Sequence, residues 1–519
     1  MGVMAAPDDL DDRPGDPVVV ESWLGAPARS YARRPASVLA VLDRAVRRWP
    51  ERTAFVEGDQ RVSYAAFGAR VETAAAALRG RGLTPGAAVA VASGNTVDLA
   101  VLLFACARAQ LVMIGLNTRL APAQWEYMVS HARTQLSLAS GDFVLAGAEP
   151  LAAVLTEVAP RPWATEPLPE PAPDSTFAVV YTSGTTGRPK ASQVVHRASV
   201  HSAMSYQRIL QLTEGDTTAV LFPLYYISAL HAHVLPAMLA GATCLLLDTP
   251  TPREYVAALR AHDVSWAYAV PSWWRLCLRD SAFADLPSLA RLAAGGAPFP
   301  PDLIAGLRAR LPGTALMDVY GLSETHSPGC IALDGDLRDR PGSVGRTLDC
   351  MEAEVRDEQR LAVGPGVPGQ LWLRGSLVTT GYLHDPAATA AAIVDGWFDT
   401  GDIARMDVAG YVTILDRSKD MINRGGTKIF SAEVEQLLLA HPSIDNAAVV
   451  GVPDALAGEA VAAFVVLAAP LTPAEVRAWV RLGMADYAAP KVVEFLSALP
   501  LNAVGKTDKP ALRARLAGT

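Results

Sequence analysis

Apolar residues at Val38, Leu39, Val41, Leu42, Ala45 and Val46 recur at the spacing of one helix face, and a second run of the same kind covers 64–83. A buried strand over 87–92 comes next, then a helix over 99–109, a strand over 112–116 and a helix over 123–131. A proline-rich connection, 160–174 with six prolines, interrupts the pattern. Beyond it, helices are expected at 198–212 and 229–240, and strands at 218–222, 244–247, 266–270, 289–294 and 315–319. Short apolar strands alternating with amphipathic helices predict an α/β fold, a large N-terminal domain of parallel sheets with helices on both faces. Counting the strand over 177–181, three apolar strands (with 289–294 and 315–319) run into glycine-bearing loops, and an open α/β sheet presents its ligand site at such strand ends. From 341 to 415 the texture turns to short strands between Gly and Pro turns, a small β-rich subdomain. A compact α+β C-terminal domain closes the chain, with a helix capped by Ser431, strands over 447–452 and 461–466, and a capping box at Thr472 and Glu475. The expected divisions are a flexible leader at 1–36, a main domain at 37–416 and a small domain at 417–519.

At 519 residues the chain exceeds what one hydrophobic core serves, which agrees with this division. A net charge of −8 with 19% charged residues favours neither nucleic acid nor an anionic membrane surface. The most apolar stretch, 99–116, is broken by Arg108 and Gln110, and no run reaches the ~20 residues a bilayer span needs. Five cysteines, far apart and odd in number, suggest neither a disulfide framework nor a zinc site. The N-terminus lacks the order of a secretory signal, so a cytoplasmic setting is expected. Its low apolar content is the reason for expecting a flexible leader. Gly364, Gly366 and Gly369 match the letters of a dinucleotide fingerprint, but Pro365 and Pro368 remove amide donors and a plain turn is expected. His231 and His233, two apart on a helix, point away from each other and make no metal pair.

Candidate chemistry begins at Thr182-Ser183-Gly184-Thr185-Thr186-Gly187-Arg188-Pro189-Lys190, directly after an apolar strand. Glycines let backbone N–H groups turn inward, hydroxyls add donors and Lys190 brings a mobile positive charge, a combination suited to a polyphosphate. The spacing is not that of a Walker loop, and Ala191 follows the lysine. A second cluster, Tyr320-Gly321-Leu322-Ser323-Glu324-Thr325, puts an aromatic ring, a glycine and a carboxylate at a strand end; Glu324 can hold Mg²⁺ against phosphate oxygens. Gly321-x-Ser323 with Thr325 in fifth place departs from a nucleophile elbow, so hydrolase chemistry is disfavoured.

The hydroxyl-rich loop resembles that of the adenylate-forming superfamily of acyl-CoA synthetases, peptide-synthetase adenylation domains and luciferases. At least six motifs occur in that family's order over about 38–512. The resemblance implies ATP and AMP contacts from Thr182, Ser183, Gly184, Thr185, Thr186, Gly187 and Lys190. It adds Gly295, Gly296, Ala297 and Pro298 at the adenine, with Asp318, Tyr320, Gly321, Ser323 and Glu324. Asp402 and Arg417 would hold the ribose, and Lys506 would reach the α-phosphate and the substrate carboxylate. Lys419 stands at the hinge of a mobile C-terminal domain, and Arg424, Gly425 and Gly426 line the coenzyme A channel. Tyr226 occupies a place where relatives often carry His. No acidic residue occurs from 220 to 242, which argues against an amino-acid substrate. The acyl pocket is assigned to Tyr226, Ala229, Leu230, Val270, Ala297, Gly321 and Leu322.

These implications define an ATP- and Mg²⁺-dependent carboxylic acid–CoA ligase (acyl-CoA synthetase, AMP-forming) acting on a fatty, aryl or bulky apolar acid, with Lys506, Glu324, Thr182 and Lys190 as catalytic groups. Two alternatives stay open: an adenylation enzyme that loads a carrier-protein thiol, and an inactive nucleotide-binding or interaction protein. A homodimer is a further open expectation.

Overall fold

The computed structural model describes residues 17–141, 143–156, 169–182, 189–501 and 507–517. They fall into two compact units. One contains the described residues through Ala353 together with Leu373–Phe398; the other contains Glu354–Trp372 and the described residues from Asp399 onward. The division precedes the border expected at 416/417. Strand Trp397–Met406 pairs antiparallel with Val412–Arg417, Asp402 opposite Arg417, and this ladder keeps both residues in the second unit.

Two sheets carry the first unit. The six-stranded one runs Lys190–Val195, Thr176–Thr182, Val112–Gly115, Ala88–Ala92, Leu136–Ala139, Glu149–Pro150, all neighbours parallel except the first pair. A nine-stranded sheet has a parallel centre, Ala315–Tyr320, Arg291–Gly295, Trp266–Ala269, Thr217–Val220, Thr243–Leu246 and Thr53–Glu57, with antiparallel strands at both ends. Helix Val97–Arg108 buries Val97 and every residue from Leu99 to Ala107. A helix apolar all round belongs in an interior, as its sequence indicated.

Helix Val38–Arg48 starts where expected because the Ser37 hydroxyl accepts the backbone N–H groups of Leu39 and Ala40. The segment before it departs from the flexible leader expected there. Val18–Trp23 and Ala26–Tyr31 form an antiparallel hairpin turned by Leu24 and Gly25, both at positive φ. Trp23 Nε1 donates to the Val378 carbonyl at 3.0 Å, and the Arg197 guanidinium lies 4.7 Å over the Trp23 ring while pairing with Glu21 at 3.1 Å. One buried indole and an ion pair do here what a run of apolar residues does elsewhere.

In the second unit, the sheet order is Thr427–Ile429, Ile422–Arg424, Gly458–Leu467, Ile444–Asp454, with Val492–Leu496 added parallel to Gly458–Leu467. Val434, Leu438, Val449, Val461, Val465, Val476 and Val480 fill one face of it. Helix Pro473–Gly483 opens with the expected reciprocal box: Thr472 N–H donates to Glu475 and Glu475 N–H to Thr472 Oγ1. Ser431 does not cap its helix as expected. Phe430 is the cap residue, and Ser431 gives its N–H and hydroxyl to Asp416. Gly364 and Val367 close the expected turn, with a hydrogen bond of 3.2 Å.

Candidate active site

Strand Thr176–Thr182 ends at the hydroxyl-rich stretch, and residues 183–188 lie outside the described residues, as does Lys506. The chain returns as Lys190–Val195, with Thr182 opposite Lys190. The stretch therefore joins two antiparallel strands, the second of which the sequence did not indicate. Thr182 Oγ1 lies 3.4 Å from the Lys190 carbonyl, so the two expected phosphate-side residues flank one hairpin.

Lys190 and Glu324 meet through a residue that motif reasoning did not single out. The Lys190 ammonium sits 4.9 Å from the centre of the Tyr382 ring, and the Tyr382 hydroxyl donates to Glu324 Oε1 at 3.0 Å. Backbone bonds fix this arrangement. Gln193 N–H donates to Gly381 O, Leu383 N–H to Ala191 O, and Thr379 N–H to Glu324 O at 2.7 Å. Residues 379–383 thus run alongside Lys190–Val195 and carry Glu324 with them. The signal in the sequence was only Gly381-Tyr382 after a short strand, too common a pair to read.

Glu324 lies in a short 3₁₀ turn, Ser323–Thr325, that follows strand Ala315–Tyr320. His326 secures its far side: Nε2 accepts from Val195 N–H at 3.0 Å and Nδ1 donates to Leu377 O at 2.9 Å, which sets the tautomer. Burial holds His326 neutral, far below the usual imidazole range. Asp318, two residues before Tyr320, is buried, and desolvation lifts its carboxyl to about 8. Tyr268, hydrogen-bonded to Ser228, lies close enough to feel that charge.

The Gly295 to Pro298 loop follows its strand as expected, and Gly296, Ala297 and Pro298 are exposed. Gly295 is small for a packing reason. A Cβ there would lie 2.4 Å from the Val319 carbonyl and 2.5 Å from the Tyr268 hydroxyl. Gly296 has φ +75°, with the Val270 side chain nearest to its open side.

Of the expected acyl-pocket residues, Tyr226 and Leu230 line an apolar cavity of about 20 Å³ with Gly115, Val179, Leu224 and Ile227. Ala229 is buried beside them on the helix, while Val270, Ala297, Gly321 and Leu322 belong to other strand ends. The Tyr226 hydroxyl accepts from Asn117 Nδ2 at 2.9 Å, so the residue in the usual histidine place is held by a neighbour on the opposite sheet. His231 and His233 face apart as expected. His231 packs edge-on against His326, and His233 contacts Thr218 and Tyr268.

In the second unit, Asp402 is buried and Arg417 exposed, joined at 2.7 Å between Arg417 Nε and Asp402 Oδ1. A carboxylate can accept hydrogen bonds from two neighbouring hydroxyls, the chemistry a ribose offers. Lys419 is exposed between Asp416 and Asp420. Asp416 holds Ser431, and Arg513 donates to Asp420 at 2.7 Å. Arg424 donates to Tyr487 O at 2.5 Å, and Gly425 and Gly426, at φ +60° and +89°, form the turn of a two-residue hairpin. That backbone requirement alone explains both glycines.

No group of three or more His, Cys, Asp or Glu side chains among the described residues is arranged to hold a metal ion. A single buried carboxylate such as Glu324 fits Mg²⁺ that arrives on a nucleotide, since Mg²⁺ at phosphates takes one or two carboxylates and keeps its waters. All five cysteines are buried and unpaired, and no helix among the described residues is long and apolar enough to cross a membrane.

The sequence model for AMP-binding enzymes matches residues 42–383, and that for the AMP-binding enzyme C-terminal domain matches 433–506. A feruloyl-CoA synthase from Amycolatopsis sp is 33% identical over 91% of this chain and 97% of its own length. A 2-succinylbenzoate–CoA ligase from Bacillus licheniformis is 31% identical over 88% and 95%. Among solved structures, o-succinylbenzoate CoA synthetase from Bacillus subtilis with its acyl-adenylate intermediate superposes with a TM-score of 0.84 at 27% identity, covering 92% of this chain and 97% of that one. The same enzyme with ATP and magnesium ion gives 0.83 at 27% identity, over 92% and 99%. Both domain matches and these relatives lead to one conclusion: this chain belongs to the AMP-binding enzyme family, the adenylate-forming superfamily that includes the acyl-CoA synthetases.

Proposed function

We propose that the chain is an AMP-forming carboxylic acid–CoA ligase whose acid carries an aromatic ring. The acid carboxylate attacks the α-phosphorus of Mg·ATP, giving acyl-AMP and pyrophosphate. The thiolate of coenzyme A then attacks the acyl carbon, and AMP leaves. Little covalent chemistry falls to the protein, which positions the reactants and stabilises charge. Lys190 and the loop hydroxyls serve the phosphates, Glu324 serves the metal ion on them, Asp402 with Arg417 serves the ribose, and Lys506 serves the α-phosphate during the first step. Lys419 is the hinge residue, and Arg424 with Gly425 and Gly426 borders the thiol channel.

The observation that carries this reading is the Glu324–Tyr382–Lys190 row beside strand Lys190–Val195, where the Tyr382 hydroxyl donates to the carboxylate and the ammonium lies over its ring. Support for an aromatic acid comes from the Phe222 and Tyr268 rings, 4.9 Å apart beside Ser228, and from relatives named for feruloyl, succinylbenzoate and indoleacetate substrates. The absence of an acidic residue over 220–242 leaves nothing there to hold an ammonium group. Reaction in the cytoplasm agrees with five reduced, buried cysteines.

The test is a panel of aryl, fatty and amino acids with ATP, Mg²⁺ and either coenzyme A or a pantetheinylated carrier, read by mass spectrometry. Aryl-CoA and AMP are the expected products. Transfer to the carrier alone would make the chain a loading enzyme, and no acid-dependent AMP would remove the ligase reading.

A further inference from the structure

Asn117, just past strand Val112–Gly115, holds both tyrosines of the loop that follows strand Thr217–Val220 in the other sheet. Its neighbours allow the amide only one orientation. Arg119 N–H, which can only donate, meets one end of it at 3.0 Å, and the Tyr225 hydroxyl donates to the same end at 3.3 Å. That end is therefore the oxygen, with both lone pairs used. The other end is the NH₂ group, a donor only, and it lies 2.9 Å from the Tyr226 hydroxyl. Tyr226 has to accept there, so its own proton must point elsewhere. We infer that Asn117 is a positioning residue that makes the Tyr226 hydroxyl a fixed hydrogen-bond donor to the acyl pocket, where it selects acids by an acceptor oxygen. The inference rests on the ligase reading and the pocket assignment given above.

Among the described residues no group accepts the Tyr226 proton. The cavity beside the ring is walled by Leu103, Met113, Val179, Leu224, Ile227 and Leu230, whose side chains carry neither oxygen nor nitrogen. A phenol proton in such surroundings forgoes a hydrogen bond that an oxygen on the bound acid would supply. The clamp itself is rigid. Asn117 is buried, and its carbonyl accepts from Trp125 Nε1 at 2.8 Å. The tyrosine loop is pinned by Leu224 N–H donating to Asn95 Oδ1 at 3.1 Å and Tyr226 N–H to Pro223 O at 2.8 Å. Gly115 admits Tyr225 alongside, since a Cβ there would lie 2.5 Å from Tyr225 Cβ. The acceptor oxygen has two sources on an aryl acid, the reacting carboxyl group and a ring substituent.

The experiment follows exchange of labelled pyrophosphate into ATP by the full chain with 4-methoxycinnamate and 4-methylcinnamate, acids of similar shape that differ in one oxygen. Wild type is compared with Tyr226→Phe, Asn117→Asp and the double variant. Tyr226→Phe removes the proton. Asn117→Asp keeps the shape and the acceptor for Arg119 N–H but replaces the NH₂ group by a second acceptor, so the Tyr226 proton turns back and is used up. Each single variant should lose about five- to tenfold in kcat/KM, and the double variant no more than either. A loss confined to the methoxy acid, seen as a raised KM, assigns the acceptor to the ring substituent; a loss on both acids alike assigns it to the carboxyl group. Either outcome supports the inference. Full activity of Tyr226→Phe on both acids overturns it, as does an Asn117→Asp loss that adds undiminished to that of Tyr226→Phe, the result a merely structural residue would give. Neutron diffraction from deuterated wild-type crystals reads the orientation without substrate. Two deuterons on the amide end facing Tyr226, with the phenol deuteron turned away from it, are expected, and the phenol deuteron lying on Asn117 overturns the inference. Exchange by wild type with neither acid counts against the aryl-acid reading, and the neutron map then decides the inference alone.

Discussion

Replacing Asp318 by Asn should stabilise the protein, by an amount that grows with pH. Asp318 is buried on strand Ala315–Tyr320, and desolvation raises its carboxyl from 3.8 to about 8 against the opposing hydrogen bond from Val319 N–H. At neutral pH the folded protein carries it protonated, while the unfolded chain carries it ionised. With the folded value above the unfolded one, the group favours folding fully below about pH 4, and that contribution is lost as pH climbs toward 8. Each pH unit in this window costs about 1.4 kcal/mol, which makes the penalty about 4 kcal/mol at pH 7. Asn keeps the shape and an acceptor for Val319 N–H but does not titrate. Urea unfolding of wild type and Asp318→Asn across pH 4–8 should therefore show nearly equal stability at the acid end and a gap widening by about 1.4 kcal/mol per unit above it, flattening near pH 8. An amide can also meet the edge of an adenine ring, so the KM for ATP should change by no more than a few-fold. A gap that stays constant with pH, or a variant weaker than wild type at pH 8, would refute the reasoning.

Other consequences concern stability around the same machinery. Burial holds His196, His201, His231, His233 and His326 neutral, with His196 and His231 pushed down to about 4 and His233 to about 3. Their folded values lie below the unfolded 6.5, so the stability they contribute is present above that pH and lost below it, at about 1 kcal/mol per histidine per unit. His231→Asn should reduce proton uptake on unfolding at pH 5.5 by about one proton, measured from the pH slope of the urea midpoint. Gly295→Ala would drive a methyl into the Val319 carbonyl and the Tyr268 hydroxyl, costing about 1–3 kcal/mol by thermal denaturation. In the second unit, the Lys509 ammonium pairs with Glu435 at 2.8 Å and donates to Ser431 Oγ at 2.8 Å. Lys509→Met should cost on the order of 2–3 kcal/mol, less than a fully buried pair because both side chains keep some exposure, and adding Glu435→Gln should recover part of it.

What the sequence disclosed follows from which interactions are local. Period and capping are written over a few residues, so helix Val38–Arg48, the box at Thr472 and the buried helix Val97–Arg108 were legible. Contacts made across long separations were not. The hairpin Val18–Trp23/Ala26–Tyr31 owes its order to partners at Arg197, Ser376 and Val378, which its own composition does not reveal. Strand Lys190–Val195 went unread because three of its residues are polar, although its backbone pairs antiparallel with Thr176–Thr182. Ser431 looked like a cap because capping residues usually act on their own helix; here Asp416, fifteen positions earlier, takes its N–H and hydroxyl. Glu324 and Lys190 were found as isolated motifs. Their connection through Tyr382 was hidden, since it joins segments 58 residues apart on one side.

The central claim is that the chain makes an acyl-adenylate before any thiol is involved. Exchange of labelled pyrophosphate into ATP, with Mg²⁺ and an aryl acid but no coenzyme A, tests this most directly. The account predicts exchange that requires the acid and falls to background in Glu324→Gln. Exchange that proceeds equally without acid, or none with any acid while coenzyme A is still consumed, would contradict it.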